Sequence, residues 1–246
     1  MVFDPIPHEG PGDHIMVIVA HPDDAEFMCS GSVARWVREG RRVSYVLCTN
    51  GDKGTEDPEM PPEKLAPLRQ AEQRAACAVL GVEEVVFLGY ADGTLTNTLE
   101  LRKSLVREIR RLQPSALVCN DPTRRYTIGR YINHPDHRAA GDTALDAAFP
   151  SARDYHVYPD FIEQGLMPHK IRHIYMSSPT DEADVHIDIA HVLDVKVKAL
   201  HQHVSQMRGR TEDSPEALEV VQRMASMSAG QSGLEYAEAF RYLRLD

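Results

Sequence analysis

The fold is decided by the stretch Ile15-Met16-Val17-Ile18-Val19-Ala20-His21-Pro22-Asp23-Asp24-Ala25-Glu26. Its first six residues are apolar, and a short apolar run with β-branched residues at its centre predicts a buried strand. A helical pattern follows from Gly31 to Glu39, so the polar residues lie where a strand passes into a helix. In open α/β sheets, ligands bind at this carboxyl end of the strands.

The polar residues at this turn suit a divalent metal ion. His21 offers a neutral nitrogen and Asp24 an anionic oxygen, and a spacing of three lets both side chains converge. Adjacent carboxylates repel each other unless a cation or a proton relieves them. If Asp24 binds a metal, Asp23 stays free to take a proton from a metal-bound water. Taken alone, such a turn is also typical of a surface loop with helix-capping acids.

A second cluster of the same kind lies far downstream, in Asn133-His134-Pro135-Asp136-His137-Arg138-Ala139-Ala140-Gly141. It repeats the His-Pro-Asp sequence and again opens a helical run. His134 and His137 are three residues apart and therefore share one face of the first helical turn. One of them could bind metal while the other faces a substrate, and two such clusters in one chain argue against the surface-loop reading.

Strand-like and helix-like segments alternate along the chain, which predicts right-handed βαβ crossovers and a mostly parallel sheet. The expected fold is α/β, a Rossmann-like three-layer arrangement in one domain, with a core over 14–206 and a C-terminal extension over 207–246. The extension is predicted to be a loop followed by a helix. The predicted strands are 14–20, 42–49, 84–88, 115–120, 171–177 and 185–189, and the predicted helices are 30–39, 63–80, 99–112, 134–149 and 192–203.

Composition excludes several classes of protein. The chain has 246 residues, 42% of them hydrophobic, and a net charge of −10. No basic stretch is long enough to follow phosphates, so nucleic acid is not expected as a partner. The acidic balance argues against a membrane surface, and no apolar run approaches the ~20 residues of a bilayer span. The sequence shows no dinucleotide-binding glycine fingerprint, no signal peptide and no Cys pair of CxxC type, so a cytoplasmic location is expected.

The motifs together resemble those of the PIG-L/LmbE-like family, most of whose members are zinc-dependent N-deacetylases. The resemblance covers residues 14–206 and is carried by 21–26, by Thr49-Asn50-Gly51-Asp52-Lys53-Gly54 and by 134–137. It implies that His21, Asp24 and His137 hold Zn²⁺ and leave a fourth position open for water, the pattern of a catalytic zinc. Fe²⁺ or another divalent metal would also suit these ligands.

The resemblance also implies roles for the neighbouring side chains. Asp23 would act as general base, and His134 would stabilise the oxyanion or protonate the leaving amine. Asp136 would orient His134 and keep it charged. Arg69 and Asp92 would contact the substrate, although a surface ion pair and a turn aspartate are nearly equal readings for them.

Three further residue assignments stay open at this point. Glu26 could cap the first helix or touch the substrate. The segment His203-Val204-Ser205-Gln206 resembles a family element near the site, and a core histidine is the favoured reading of His203. Some sugar deacetylases of the family carry a tyrosine two residues before the first His of the second motif. Here Ile132 stands there and Tyr131 is one residue further back, so assistance from a tyrosine is in doubt.

The favoured function is removal of an acetyl group from an N-acetylglucosamine-type sugar or its conjugate. A metal-dependent hydratase, that is a lyase of the same superfamily, is the main alternative. A non-haem iron oxygenase and a metal-storage protein are weaker ones, because the first is usually built on a β-barrel and the second needs neither Asp23 nor His134. Relatives often assemble, so a homo-oligomer is also expected.

Overall fold

The computed structural model describes residues 13–127, 131–177, 182–207, 215–230 and 232–246. The strands are β1 His14–Val19, β2 Arg42–Thr49, β3 Glu84–Tyr90, β4 Ala116–Asn120, β5 Tyr126–Thr127, β6 Tyr131–Ile132, β7 His173–Ser177, β8 Val185–Asp188 and β9 Ala237–Arg244. The helices are α1 Asp24–Met28, α2 Ser30–Arg38, α3 Pro62–Leu80, α4 Leu99–Leu112, α5 Pro135–Asp146, α6 Pro159–Glu163, α7 Leu193–Leu200 and α8 Pro215–Ala229.

Seven of the strands form one sheet in the order β3-β2-β1-β4-β7-β9-β8. The first five of these run parallel, and β9 is antiparallel to both of its neighbours, β7 and β8. From β1 the chain proceeds outward to β2 and β3, then returns to add β4 on the opposite side of β1. The strand order therefore reverses between β1 and β4, and the crevice at their carboxyl ends is where such sheets bind ligands.

Helices cover both faces of the sheet, which confirms the predicted three-layer α/β fold. Alternate residues of β1 point to opposite faces: Ile15, Val17 and Val19 belong to one apolar cluster, and Met16 and Ile18 to the other. All five side chains are fully buried, because a central parallel strand has no solvent-facing side. Among the described residues, no helix is both long and apolar enough to cross a bilayer.

The predicted elements appear with small shifts at their ends. A short helix, α1, precedes the predicted helix at 30–39. The helix predicted over 134–149 ends at Asp146, and a wider helical turn over Ala147–Ser151 follows, with Phe149 in a non-helical conformation. Pro150 explains this ending, since proline removes a backbone donor and disfavours the helical conformation at the preceding residue.

The C-terminal segment differs more from its prediction. The predicted helix is present as α8, but the chain then forms β9, which lies inside the sheet between β7 and β8. Ala237, Ala239 and Phe240 of β9 are buried, so the end of the chain completes the core instead of extending from it. The prediction missed this strand for two reasons. Its partner strand β7 is remote in sequence, and Glu238 and Arg241 make the segment polar.

Candidate metal centre and active site

The turn after β1 has an unusual backbone conformation. Asp23 has a φ of 104°, in the left-handed region that residues other than glycine rarely adopt. The backbone N–H groups of Glu26 and Phe27 donate to the carbonyl of Asp23, so α1 begins immediately after it. Strained backbone of this kind tends to occur at functional sites, where the surroundings impose it.

The two carboxylate oxygens of Asp24 have different partners: one accepts from the backbone at the end of β1, and the other faces His137. Its Oδ2 accepts hydrogen bonds from the backbone N–H groups of Ala20 at 3.1 Å and His21 at 2.9 Å. Its Oδ1 lies 3.0 Å from Nε2 of His137. The end of β1 therefore fixes the rotamer of Asp24 and aims its second oxygen at α5.

His137 is oriented by a residue one helical turn earlier. The imidazole Nδ1 lies 3.1 Å from Oδ1 of Asn133, and the Asn133 amide donates to the carbonyl of Arg124 at 2.8 Å. Because that second bond makes the Asn133 oxygen an acceptor, Nδ1 of His137 carries a proton. Its Nε2 faces Asp24: burial lowers the pKa of His137, but the charge of Asp24 and the hydrogen bond to it outweigh burial and raise that pKa.

His21 is held in the same manner by two carboxylates. Its Nε2 lies 3.1 Å from Oδ1 of Asp92 and 3.3 Å from Oδ2 of Asp136, while Nδ1 lies 3.4 Å from Oδ2 of Asp24. Burial lowers the pKa of His21, but the charge of Asp24 and the hydrogen bonds to Asp136, Asp24 and Asp92 outweigh it and raise the pKa to about 12. At this pKa both ring nitrogens of His21 carry a proton, and a metal ion bound to Nδ1 would replace the proton on that atom.

The three side chains fit a divalent metal. His21 and His137 each have one ring nitrogen tied to the protein and the other facing Asp24, as metal-binding histidines usually do. Ligands about 2.0–2.1 Å from a tetrahedral ion are separated by about 3.3 Å. Nε2 of His137 lies 3.0 Å from Oδ1 of Asp24 and Nδ1 of His21 lies 3.4 Å from Oδ2, so each histidine reaches the Asp24 carboxylate at about this spacing, through a different oxygen.

Among the described residues, two compact sets of three potential metal ligands include His21 and neither includes Asp24: His21 with His134 and His137, and His21 with Asp92 and Asp136. Asp24 contacts both His21 and His137 of the first set. The second set is the weaker candidate, because Oδ1 of Asp136 accepts from the N–H of Leu95 at 3.2 Å and Oδ2 from that of Gly93 at 2.7 Å. A carboxylate already held by backbone donors supports a ligand better than it binds an ion.

Asp23 lies beside this centre and is paired with Arg69. Nη2 of Arg69 is 3.1 Å from Oδ2 of Asp23 and also donates to the carbonyl of Pro22, while Nη1 donates to the carbonyl of Gly51 at 2.9 Å. Burial raises the pKa of Asp23 to about 7, against the lowering effect of Arg69. The predicted substrate contact, Arg69, is thus buried and engaged with the loop that carries Asp23.

His134 caps the start of α5. Its Nδ1 accepts a hydrogen bond from the backbone N–H of Asp136 at 3.2 Å, and its ring lies edge-on to His21 with centroids 4.8 Å apart. Burial and the charge of His21 lower the pKa of His134, so the neutral ring is favoured at neutral pH. With Nδ1 accepting, the neutral ring carries its proton on Nε2.

The structure gives Asp136 and Asp92 side-chain partners that the sequence did not suggest. The Asp136 side chain contacts His21, and Asp136 reaches His134 through its backbone N–H, whereas the resemblance implied a carboxylate–imidazole pair. Both oxygens of Asp92 are also engaged, one with His21 and the other with the backbone N–H of Lys53 at 3.3 Å. The predicted substrate contact at Asp92 stays a prediction.

Sequence reasoning missed Asn133 and Gln73, and it left Glu26 undecided. Glu26 is completely buried and neither caps α1 nor faces the crevice: its carboxylate accepts from Gln73 at 3.0 Å and pairs with His203 at 3.0 Å. His203 is buried, as its favoured reading requires. Because Asn133 lies four residues before His137, its contact with the His137 ring could have been predicted from the sequence. The residues around Gln73 give no such indication of its contact with Asp23.

The segment after β4 forms a small hairpin of β5 and β6 beside His134. Tyr126, Tyr131 and Ile132 are exposed there, and Tyr126 pairs with Ile132 across the hairpin. Arg130, one of the residues considered for a substrate mouth, lies outside the described residues. The choice between a substrate mouth and a solvated connection stays open.

Comparison with known proteins identifies the family of the chain. The family model described as PIG-L, GlcNAc-PI de-N-acetylase, matches residues 16–148. Diacetylchitobiose deacetylase of Thermococcus kodakarensis is 32% identical to the chain over 230 residues, which cover 93% of this chain and 82% of that enzyme.

Two solved structures are similar over nearly the whole chain. N,N'-diacetylchitobiose deacetylase of Pyrococcus horikoshii has a TM-score of 0.83 at 26% identity, covering 96% of this chain and 85% of that one. The 4-carboxy-2-hydroxymuconate hydratase GalB of Pseudomonas putida has a TM-score of 0.75 at 21% identity, covering 95% and 97%, a likeness of fold alone. The matched motifs, the sheet order and these similarities show that the chain belongs to the PIG-L family of deacetylases.

Proposed function

We propose that this chain is a metal-dependent N-deacetylase that hydrolyses the acetamide of an N-acetylglucosamine-type sugar or its conjugate. The observation that carries the proposal is that the side chains of His21 and His137 both face the Asp24 carboxylate, with His21 Nδ1 3.4 Å from Oδ2 and His137 Nε2 3.0 Å from Oδ1. They lie at the switch point of the sheet beside Asp23 and His134. The related diacetylchitobiose deacetylase supports the substrate class.

His21, Asp24 and His137 would hold the metal, with Zn²⁺ as the expected ion and Fe²⁺ or another divalent ion as alternatives. The metal, when bound, supplies Lewis acidity, which lowers the pKa of a water and polarises the acetyl carbonyl. Asp92 and Asp136 then act on His21: by accepting from its Nε2–H they fix the ring and leave Nδ1 for the ion.

Asp23 is the proposed general base. A base is most effective when its pKa lies near the working pH, and burial raises the pKa of Asp23 to about 7. Asp23 would take a proton from the attacking water and return it to the leaving nitrogen, so the proton balance of amide hydrolysis closes on one carboxylate. Arg69 holds this carboxylate in place through Oδ2.

His134 is the proposed donor to the carbonyl oxygen. Because Nδ1 accepts from the backbone of Asp136, Nε2–H of the neutral ring is free to donate to the charge that develops on that oxygen. The sequence suggested a charged His134, but the lowered pKa favours donation from the neutral ring. Asp136 would therefore orient His134 through its backbone and His21 through its side chain.

The test is hydrolysis by the metal-loaded chain of N,N'-diacetylchitobiose and N-acetylglucosamine. We expect acetate and free primary amine in equal amounts, and a loss of both after removal of the metal by a chelator. The alternative hydratase would release neither product and would instead add water to an unsaturated acid. Full metal occupancy without acetate release from any N-acetylated sugar would contradict the proposal. A cytoplasmic location and a homo-oligomer stay predictions.

A further inference from the structure

A buried polar cluster lies directly behind the turn that carries Asp23. Its members come from four separate parts of the chain, and all are at least nine-tenths buried. They are Glu26 in α1, Gln73 in α3, Lys196 in α7, His203 after α7 and Glu238 in β9. Burying so many polar groups is costly unless each finds a partner, so their mutual geometry is strongly constrained.

One chain of hydrogen bonds in this cluster ends on the backbone of Asp23. His203 Nε2 lies 3.0 Å from Oε2 of Glu26, and Oε1 of Glu26 accepts from Nε2 of Gln73 at 3.0 Å. Oε1 of Gln73 in turn accepts from the backbone N–H of Asp23 at 3.1 Å. Because Glu26 is an acceptor, the Gln73 amide can take only the orientation that turns its oxygen toward Asp23.

The ion pair of the cluster fastens the far end of α1. Nζ of Lys196 donates to the carbonyls of Glu26 at 2.8 Å and Phe27 at 3.1 Å, and it pairs with Glu238 at 2.6 Å. The Glu238 carboxylate also accepts from two backbone N–H groups in the first turn of α2, those of Gly31 and Ser32. Glu26 is therefore held by its backbone as well as by its side chain.

These contacts explain how Asp23 is kept at its φ of 104°. A residue with a Cβ is strained in sparsely populated backbone regions, so the surroundings must impose the conformation. The backbone N–H of Asp23 donates to the side chain of Gln73, which holds one side of the residue. Arg69 holds the other side of the residue, through the carboxylate and the carbonyl of Pro22.

We propose that Gln73 is a positioning residue for Asp23, and that Glu26 and His203 act by fixing the orientation of the Gln73 amide. The inference rests on the proposed function, because it takes Asp23 as the general base. Gln73 does not touch the substrate in this scheme. It determines where the Asp23 carboxylate lies relative to the metal ligands, and a displacement of about 1 Å can cost on the order of 100-fold in rate.

The first experiment is a double-mutant cycle between Gln73→Met and Asp23→Asn, assayed as acetate release by metal-loaded protein. We expect Gln73→Met to lower kcat on the order of 100-fold, with metal content retained. In the Asp23→Asn background the same change should cost less than about 2-fold, since a residue that acts through Asp23 has nothing left to position. Gln70→Met, in the same helix, is the matched control and should leave kcat unchanged.

An equal loss in both backgrounds would show that Gln73 has only a general structural role and would overturn the proposal. If Asp23→Asn itself retained full turnover, the base assignment and not the positioning role would be at fault. A crystal structure of Gln73→Met decides the case where Asp23→Asn is too slow to assay. We expect Asp23 to leave the left-handed region, and an unchanged φ would overturn the proposal.

A swap variant gives a test of rescue. In Glu26→Gln with Gln73→Glu, the new amide at 26 can accept from His203 and donate to the new carboxylate at 73, which can still accept from the N–H of Asp23. We expect this variant to keep kcat within about 5-fold of the original chain, whereas Gln73→Met does not. Loss of kcat in the folded, metal-loaded swap variant to the level of Gln73→Met would contradict the hydrogen-bond chain.

Discussion

Nε2 of His137 lies 3.0 Å from Oδ1 of Asp24, although one residue opens α5 and the other follows β1. The contact spans the crevice between β1 and β4, where the strand order reverses. It joins the two His-Pro-Asp motifs into one site, and neither motif alone supplies three ligands.

This relationship predicts that His137 is required for metal retention. We expect His137→Ala to lose most of its bound metal and its acetate-releasing activity, because Asp24 and His21 alone leave only two ligands. Metal per chain, measured by mass spectrometry after dialysis, checks this. The exposed His156→Ala is the control and should keep its metal, and a fully loaded His137→Ala would place the ion elsewhere.

Asn133 should tune metal affinity without taking part in the chemistry. Asn133→Ala removes the acceptor for Nδ1–H of His137 and should weaken metal binding by about 10–100-fold. At saturating metal, most of the kcat should return. Competition with a chromogenic chelator measures the affinity, and Asn97→Ala is the control, because Asn97 donates to Asp146 at the opposite end of α5 from His137. An unchanged affinity would mean that the helix alone orients His137.

Asp23→Asn should keep the metal and lose turnover. The amide preserves size and hydrogen bonds but cannot take a proton, so kcat should fall by about 10²–10⁴-fold. The exposed Asp194→Asn is the control. Loss of metal from the Asp23 variant would instead mean that Asp23 is a metal ligand and that the general base is assigned wrongly.

His14 should make stability depend on pH. Its Nδ1 bonds to the carbonyl of Leu112 at 2.9 Å and its Nε2 to Ser44 at 3.0 Å. Burial lowers the pKa of His14 from its ordinary value of 6.5. When the pH falls below about 6.5, His14 takes up a proton in the unfolded chain before it does so in the folded one. Its contribution to the free energy of unfolding is therefore complete above that pH and declines as the pH falls further.

We therefore expect His14→Gln to flatten the fall in the free energy of unfolding between about pH 7 and 5. Urea titrations at several pH values, each comparing variant with original chain, isolate this residue from the others that titrate. Parallel curves for the two proteins would show that His14 keeps its ordinary pKa in the fold.

The Lys196–Glu238 pair should be essential to stability. Glu238→Gln leaves the Lys196 ammonium buried without its counter-charge, and removing one partner of a buried pair costs about 3–5 kcal/mol. Denaturant unfolding measures the loss, and the exposed Glu219→Gln should change little. A loss below about 1 kcal/mol would mean that the carbonyls of Glu26 and Phe27 suffice for Lys196.

The sequence by itself determined the parallel sheet, because each strand of its centre is a continuous apolar run and each crossover carries a helical pattern. It also predicted which residues meet: two short motifs indicated His21, Asp24 and one of His134 and His137, and the family resemblance favoured His137. Such patterns are local, since a strand that is buried on both faces or a His-Pro-Asp turn is visible within about ten residues.

Only the tertiary structure decided what surrounds those residues. Asp92 and Asp136 contact His21, Gln73 contacts the backbone of Asp23, and β9 enters the sheet beside β7. These relationships depend on a distance and an orientation between segments far apart in the chain, and the residue types alone fit several arrangements. Burial selects one of them, because each polar group removed from water must find a partner in the packed fold.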